Sequence, residues 1–306
     1  MVRFGGIAMI VSFLICMFFN PELVKTSQTI GLMVISFLIL LFGILDDVRD
    51  FSWKVQIVFQ GLLVVLLVFF EYSVDYLVSP FGQALYFGGL EFTFFQLSFS
   101  VISVAIIFFW TLSVINAINW ADGIDGLSGG IGLVGALSLF FISLTSQVNQ
   151  PAIAIVAIIF MGSILGFWWL NFPKAKIEAG TSGSYFIGFF LAATAIIAGT
   201  KIATAIIVLA IPLVDLIWVV VQRFMNKAPI TKKDFGHLHH KLRYLGWSNA
   251  KIVSLYLVFI ATMFFVVSAV NSRVEKFAII GLEIVLIVIF LFSTSLKNRK
   301  INHIIK

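Results

Sequence analysis

Cysteine occurs once in 306 residues, as Cys16 inside an apolar run, and Lys, Arg, Asp and Glu together make up only 11% of the chain. The lone thiol excludes an internal disulfide and any metal centre built from cysteines. So little charge, set against 61% hydrophobic residues and 34 phenylalanines, excludes a soluble globular fold, because that much apolar surface cannot be hidden from water. No internal repeat and no low-complexity segment is present, which removes the inverted-repeat plan of many transporters. No secretory signal is recognisable either, since Met1 and Arg3 lead almost directly into apolar sequence. The expectation is one all-α, polytopic integral membrane domain over residues 1–306. Its net charge of +6 belongs with membrane topology and implies no nucleic-acid partner.

What the chain does contain is ten apolar runs, expected as spans at Gly5–Phe19, Thr29–Leu45, Val55–Phe70, Val101–Ile118, Leu127–Leu144, Ala152–Leu170, Tyr185–Ala198, Ala203–Val221, Ile252–Ala269 and Phe277–Phe292. Each reaches or nearly reaches across a hydrocarbon layer of about 30 Å at about 1.5 Å per residue. With Arg3 placed in the cytoplasm, 16 Lys and Arg fall on that side and 4 on the other (Lys25, Lys201, Arg273 and Lys276). Such a bias puts both termini inside. Asp46-Asp47, the turn Asn116–Gly130, the turn Asn171–Gly183 and the loop Arg223–Asn249 then share the cytoplasmic face and read as one composite site. The outer segment Glu71–Phe99 reads as a short strand pair or interfacial hairpin with no chemistry of its own.

The centre of that site is Asn116–Gly130, NAINWADGIDGLSGG. A carboxylate near hydrocarbon costs about 2.5–3.5 kcal/mol on insertion scales, so Asp122 and Asp125 between two apolar runs point to function. Gly123, Gly126, Gly129 and Gly130 let the backbone leave the helix and approach a ligand. The bland alternative is that Asp125 caps the next helix while Asn116 and Asn119 join helices. A calcium loop is a poor fit, because DGIDG lacks the further oxygen ligands. Asp46 and Asp47 end the second run, about 100° apart on a helix, so one can face the site while the other supports it. A carboxylate pair there suits Mg²⁺ and a bound pyrophosphate, or else simply ends the span in water, as Asp50 is expected to.

His237, His239 and His240 lie within four residues in a basic loop, APITKKDFGHLHHKLRYLGWS. Imidazoles and ammonium groups beside carboxylates suit a nucleotide diphosphate better than zinc, and the competing reading is attraction to anionic lipid. In NFPKAKIEAGTSGS, Lys174 and Lys176 are candidate phosphate contacts, with Gly180 and Gly183 turning the chain into a helix whose N-terminus favours an anion. Asp215 is a candidate to order the site or pair with Arg223, and Glu283 has no assigned role.

Taken together, these stretches resemble the polyprenyl-phosphate N-acetylhexosamine-1-phosphate transferases of glycosyltransferase family 4. Arg3-Phe4-Gly5-Gly6, LDD at Leu45–Asp47, NAINWADGIDGL, NFPKAKI…GTSGS and PLVD…R…D…HLHHKL follow the family's order and spacing from Arg3 to about Trp247. The HLHH form is similar to the branch that uses UDP-N-acetylglucosamine or a related simple sugar. The resemblance implies transfer of a sugar 1-phosphate from a UDP-sugar to undecaprenyl phosphate, releasing UMP, in the inner membrane of a bacterium. It implies Asp46, Asp47, Asp122 and Asp125 as catalytic and Asn116, Asn119, Lys174, Lys176, His237, His239 and His240 as substrate-binding. Mg²⁺, with Mn²⁺ as alternative, is expected on Asp46, Asp47 and Asp122. Membrane lipid is a further partner, and a homodimer is compatible with the family.

Three departures accompany it. The family has one more span before the first seen here, so Met1 reads as a late start or a truncation. Where the family carries Lys, this chain has Gln56; where it carries a magnesium-binding Asp, this chain has Thr181. A hydroxyl cannot replace a carboxylate's charge, which makes Glu178, one turn earlier, a candidate substitute ligand. The rival functions are therefore an inactive relative that binds lipid phosphate or nucleotide sugar, and an unrelated transporter of anionic solutes.

Overall fold

The computed structural model describes residues 3–87, 91–94, 97–146, 148–197, 202–227 and 236–304. Lys201, Lys232, Lys233, Asp234 and Lys306, used above, lie outside the described residues. In chain order the elements are α1 (Gly5–Phe19), α2 (Ser27–Arg49), α3 (Trp53–Phe69), β1 (Tyr76–Val78), β2 (Ala84–Tyr86), β3 (Glu91–Phe94), β4 (Leu97–Ser100), α4 (Val101–Ala121), α5 (Leu127–Leu144), α6 (Pro151–Asn171), α7 (Gly180–Ile197), α8 (Ile202–Met225), α9 (Leu238–Tyr244), α10 (Asn249–Ser268) and α11 (Arg273–Ile304).

All ten expected spans are helices. Eight are long and apolar enough to cross a membrane, and α1 and α3 are shorter apolar helices of 15 and 17 residues. The protein is a multi-pass helical membrane protein. Hydroxyl caps start several spans where the apolar pattern begins: Thr26 accepts from the Thr29 N–H, Ser100 from Ser103 and Ser248 from Lys251. Two antiparallel hairpins, β1–β2 and β3–β4, stand where one strand pair was expected. The seven-residue α9 falls inside what reads as a basic loop, because it is too short and polar for hydropathy to reveal.

The bundle is built around α7, which starts at Gly180, five residues before the expected Tyr185, and is buried over nearly its whole length. Its small residues allow this: Gly43 of α2 sits directly against Ser182, and a Cβ on Gly188 would lie 2.7 Å from the Cα of Ile115 in α4. Phenylalanines fill the seam with α1 and α6, where Phe160 and Phe190 stack with centroids 3.5 Å apart and Phe13 meets Phe186 edge-on at 5.2 Å. The N–H groups of Gly5 and Gly6 bond the carbonyls of Glu178 and Ala179 at 3.0 and 2.9 Å, tying the start of α1 to the start of α7. Lys241 of α9 donates to Ser295 of α11 at 3.0 Å. The start of α1 and the part of α11 around Ser295 therefore lie at the end of the bundle that carries the polar turns.

Candidate active site

Asp46 and Asp47 take different roles at the end of α2, as their 100° separation allows. Asp46 is buried and fully engaged. Its Oδ1 accepts from the Phe51 N–H at 3.1 Å and from Gln56 Nε2 at 3.2 Å, and its Oδ2 accepts from the Thr181 hydroxyl at 2.6 Å. Asp47 faces the site. Its Oδ1 takes the Thr181 N–H at 3.0 Å and lies 3.5 Å from Arg3, while its Oδ2 occupies the space a side chain on Gly180 would need. Gly180, at φ 68°, is the residue that the left-handed turn and the close carboxylate both require.

Asp122 ends α4 and accepts a short hydrogen bond from the Ser128 hydroxyl. Its carboxyl is pushed up to about 7, chiefly by burial and then by Glu178, Asp47 and Asp125, with the Ser128 hydrogen bond acting in the opposite direction. A carboxyl so placed binds a proton or a cation readily. The turn behind it depends on α6: Asn171 accepts from the Gly126 N–H at 2.8 Å and donates to the Ile177 carbonyl at 2.8 Å, while Trp168 donates to the Gly126 carbonyl at 2.8 Å. Gly126, at φ 79°, makes the turn possible. Asp125 points to the next loop and accepts from the Ala175 N–H at 3.5 Å.

The histidines reach the same place from α9. Asp215 of α8 accepts from the Leu238 N–H and from His237 Nδ1, both at 2.9 Å, so it orders the start of α9. Arg223 lies over the Trp120 ring at 5.6 Å and His237 packs on that ring at 4.8 Å. His239 stacks on His237 at 5.7 Å and meets His240 at 4.2 Å. Burial, followed by the charges of His240 and His237, pushes the His239 pKa well below its usual value, which keeps the ring neutral. Gly123 is the junction, since a Cβ there would lie 3.3 Å from His239 Nε2 and 3.4 Å from His240 Nε2. The acidic turn and the histidine loop are thus in contact.

Several expectations change. Asn116, expected to bind substrate, turns into the bundle: its amide donates to Gln60 at 2.7 Å and to the Leu112 carbonyl at 2.8 Å, and Gln60 in turn donates to the Tyr185 hydroxyl at 3.0 Å. The group joins α3, α4 and α7 inside the bundle. Asn119 accepts from Ser184 at 2.8 Å. Lys174 and Lys176 are exposed, with Lys174 at φ 81° in the turn. The metal set of Asp46, Asp47, Asp122 and Glu178 does not close into one cage. Among the described residues no three His, Cys, Asp or Glu converge as metal ligands, the Asp46 oxygens are taken, and half-exposed Glu178 pairs with Arg3 at 3.6 Å. Sequence reasoning missed Ser128, Trp168, Gln60 and the role of Asn171. A hydroxyl, amide or indole in or beside an apolar run was the only signal they offered.

Residues 29–199 match the model of glycosyl transferase family 4. The chain belongs to glycosyl transferase family 4. Relatives span most of it. It is 28% identical over 297 residues, 95% of this chain and 78% of the other, to a Bacillus subtilis protein named "probable undecaprenyl-phosphate N-acetylglucosaminyl 1-phosphate transferase". It is 28% identical over 293 residues to the decaprenyl-phosphate N-acetylglucosaminephosphotransferase of Mycobacterium leprae, covering 86% of this chain and 71% of that one. It is 26% identical over 263 residues to the phospho-N-acetylmuramoyl-pentapeptide-transferase of Staphylococcus epidermidis, covering 82% and 79%. The family match covers α2 to α7, and so includes Asp46, Asp47, the Asp122 turn and Thr181, while the histidines lie beyond it.

Proposed function

We propose that this protein transfers a sugar 1-phosphate, an N-acetylhexosamine 1-phosphate by its relatives, from a UDP-sugar to undecaprenyl phosphate, releasing UMP and initiating a cell-envelope glycan. The observation that carries the reading is the contact at Gly123 between the Asp122 turn and the His239–His240 pair, beside Asp47. One end of the bundle then offers carboxylates for a cation and imidazoles for a nucleotide. Apolar helix faces next to them suit a polyprenyl chain.

In the reaction, an oxygen of the lipid phosphate attacks the sugar-bearing phosphorus, the P–O bond to UMP breaks, and UMP leaves with that bridging oxygen. The acceptor phosphate has a second pKa near about 6, so it is mostly a dianion at neutral pH and needs no general base. One-step attack follows more simply than an aspartyl-phosphate. The barrier is largely electrostatic, and Arg3 and the histidines are the chain's own means of lowering it.

The donor chemistry fits Mg²⁺, a hard cation usually held by one or two carboxylates together with substrate phosphates. Asp47 and Asp122 would hold it, and when bound it supplies charge neutralisation at the diphosphate. Asp47 is aimed into the space kept by Gly180, and the crowding of carboxylates around Asp122 is what a cation relieves.

The membrane reading is the bacterial inner membrane with the polar end and both termini in the cytoplasm, supported by the 16-to-4 charge bias and by the start of α1 and the Ser295 region of α11 meeting that end of the bundle. In a Cys16→Ala background, Lys176→Cys and Arg243→Cys should label only from inside and Gln83→Cys only from outside. Labelling of Lys176→Cys from outside intact cells overturns the orientation.

The activity test is purified protein with Mg²⁺, undecaprenyl phosphate and a panel of UDP-sugars, scored for UMP release. Release that falls about 10²-fold or more in Asp122→Asn supports the reading. The occupation of Asp46 by Thr181 and Gln56 favours a second reading, an inactive relative, and saturable UDP-sugar binding without UMP release selects it. Neither release nor binding overturns both.

A further inference from the structure

The histidine pair His239–His240 stands on α9, whose seven residues make barely two turns and cannot hold an orientation by themselves. That orientation is set from outside. Asp215 of α8 fixes the first residues through the Leu238 N–H and His237 Nδ1. Leu238 and Leu242, on one face, are buried in the core of the bundle. At the far end the Trp247 N–H bonds the Leu242 carbonyl at 3.1 Å and the Gly246 N–H bonds the Arg243 carbonyl at 3.0 Å. With Gly246 at φ 85°, these two bonds turn the chain tightly toward α10.

A further contact joins α9 to α11. Lys241 is buried; its Nζ donates to Ser295 Oγ at 3.0 Å, and its carbonyl accepts from Asn298 Nδ2 at 3.4 Å. Ser295 is itself aimed, because its hydroxyl donates to the Leu291 carbonyl at 2.7 Å and leaves the oxygen free to accept from the ammonium. Side chains two residues apart on a helix point about 200° apart, so Lys241 leaves α9 on the side away from His239. Holding Lys241 therefore fixes the rotation of α9 about its own axis, and with it the direction from which His239 and His240 reach Gly123. There His239 Nε2 is buried and, among the described residues, has no hydrogen-bond partner. A ring nitrogen kept from water in this way is one that a bound ligand satisfies.

We propose that Lys241, held by Ser295 and Asn298, is a positioning residue for His239 and His240, so that the inner end of α11 acts on the nucleotide-sugar site through α9. An apolar side chain of similar length would fill the same space with less desolvation than an ammonium, and what the lysine adds is a directional bond. The proposal rests on the transferase reading for what the histidines bind, and on the geometry alone for the tie between α9 and α11. Both partners on α11 lie beyond the residues that match the family model, 29–199.

The test is a double-mutant cycle of Lys241→Met and Ser295→Ala on the full-length protein in detergent. It is read, without nucleotide or metal, as the rate at which diethyl pyrocarbonate modifies His239, followed by peptide mass spectrometry. Each single variant should raise that rate about 10-fold, the scale of one lost hydrogen bond to a charged group, and the double variant should match the larger single rather than multiply the two. Lys241→Arg, which keeps a cationic donor, should stay within about 3-fold of wild type. Ser295→Ala should keep Tm within about 3 °C, so that it reports direction and not unfolding. Rates that stay at the wild-type value, or that multiply in the double variant, overturn the proposal. An equal rise at His237, which Asp215 holds, marks unfolding of α9 as a whole and overturns it too. The second readout uses UDP as the probe. By calorimetry Lys241→Met should weaken UDP binding about 10-fold, and in the UMP-release assay it should raise KM with kcat changed less than about 3-fold. A fall in kcat at unchanged KM would put Lys241 in the chemistry and overturn its positioning role. Rates that fail to multiply, in a protein that binds no UDP and releases no UMP, support the tie and remove the transferase reading, so the two failures are distinct. Lys297→Met, which removes an exposed cation from the same end of α11, serves as the unaffected control.

Discussion

Gly123 and His239 approach so closely that a single added carbon on the first would lie 3.3 Å from Nε2 of the second. This spacing lets a histidine loop after α8 close on an acidic turn after α4. Gly123→Ala needs no unusual backbone angle, because Gly123 is not among the glycines with positive φ. The substitution should therefore leave Tm within about 2 °C and act on the histidines, lowering kcat/KM for the UDP-sugar about 10-fold or more, mainly through KM. Unchanged kinetics would separate the histidines from the substrate.

Asn171 holds the Gly126 turn by one bond accepted and one given, both at 2.8 Å. Asn171→Ala strands the buried Gly126 N–H, at a cost of about 1–3 kcal/mol. Thermal unfolding in detergent should show a clear fall in Tm, with Asn171→Asp, which keeps the acceptor, falling less. Loss of activity without loss of stability would instead put Asn171 in contact with the substrate.

Stability should depend on pH through His239. The unfolded chain takes up a proton near pH 6.5 that the folded protein, with its ring pushed well below that value by burial and by His240 and His237, does not take. Stability is therefore full above about pH 6.5 and falls as the pH drops below it. Asp215 and Arg223 flank the same cluster through His237 and Trp120, so the measurement compares Tm from pH 8 to 5 in wild type and in His239→Gln. A profile just as steep in His239→Gln would place the dependence on another group.

Glu283 is buried in α11, and among the described residues neither of its oxygens has a hydrogen-bond partner. A buried, unsatisfied acid weakens the fold it sits in. Glu283→Gln should be neutral or slightly stabilising and Glu283→Leu should raise Tm by a few degrees, about 1 kcal/mol for 2–4 °C. A fall in Tm with either would show that the carboxyl has a stabilising partner.

The sequence by itself determined the ten apolar helices, the membrane class and the family pattern, because those depend on local quantities: an apolar run, a glycine-broken acidic turn, a bias of cations. It also located Asp47, Asp122 and the three histidines, since ionisable groups between apolar runs stand out. Tertiary structure alone decided which of two adjacent aspartates faces the site. It turned Asn116 toward Gln60, left Lys174 and Lys176 exposed, and brought Thr181 and Gln56, 125 positions apart in the chain, onto one carboxylate oxygen. The physical reason is that a hydrogen bond's partner depends on how helices rotate and approach one another, and that is set by contacts such as Gly43 on Ser182, which no local pattern in the chain displays.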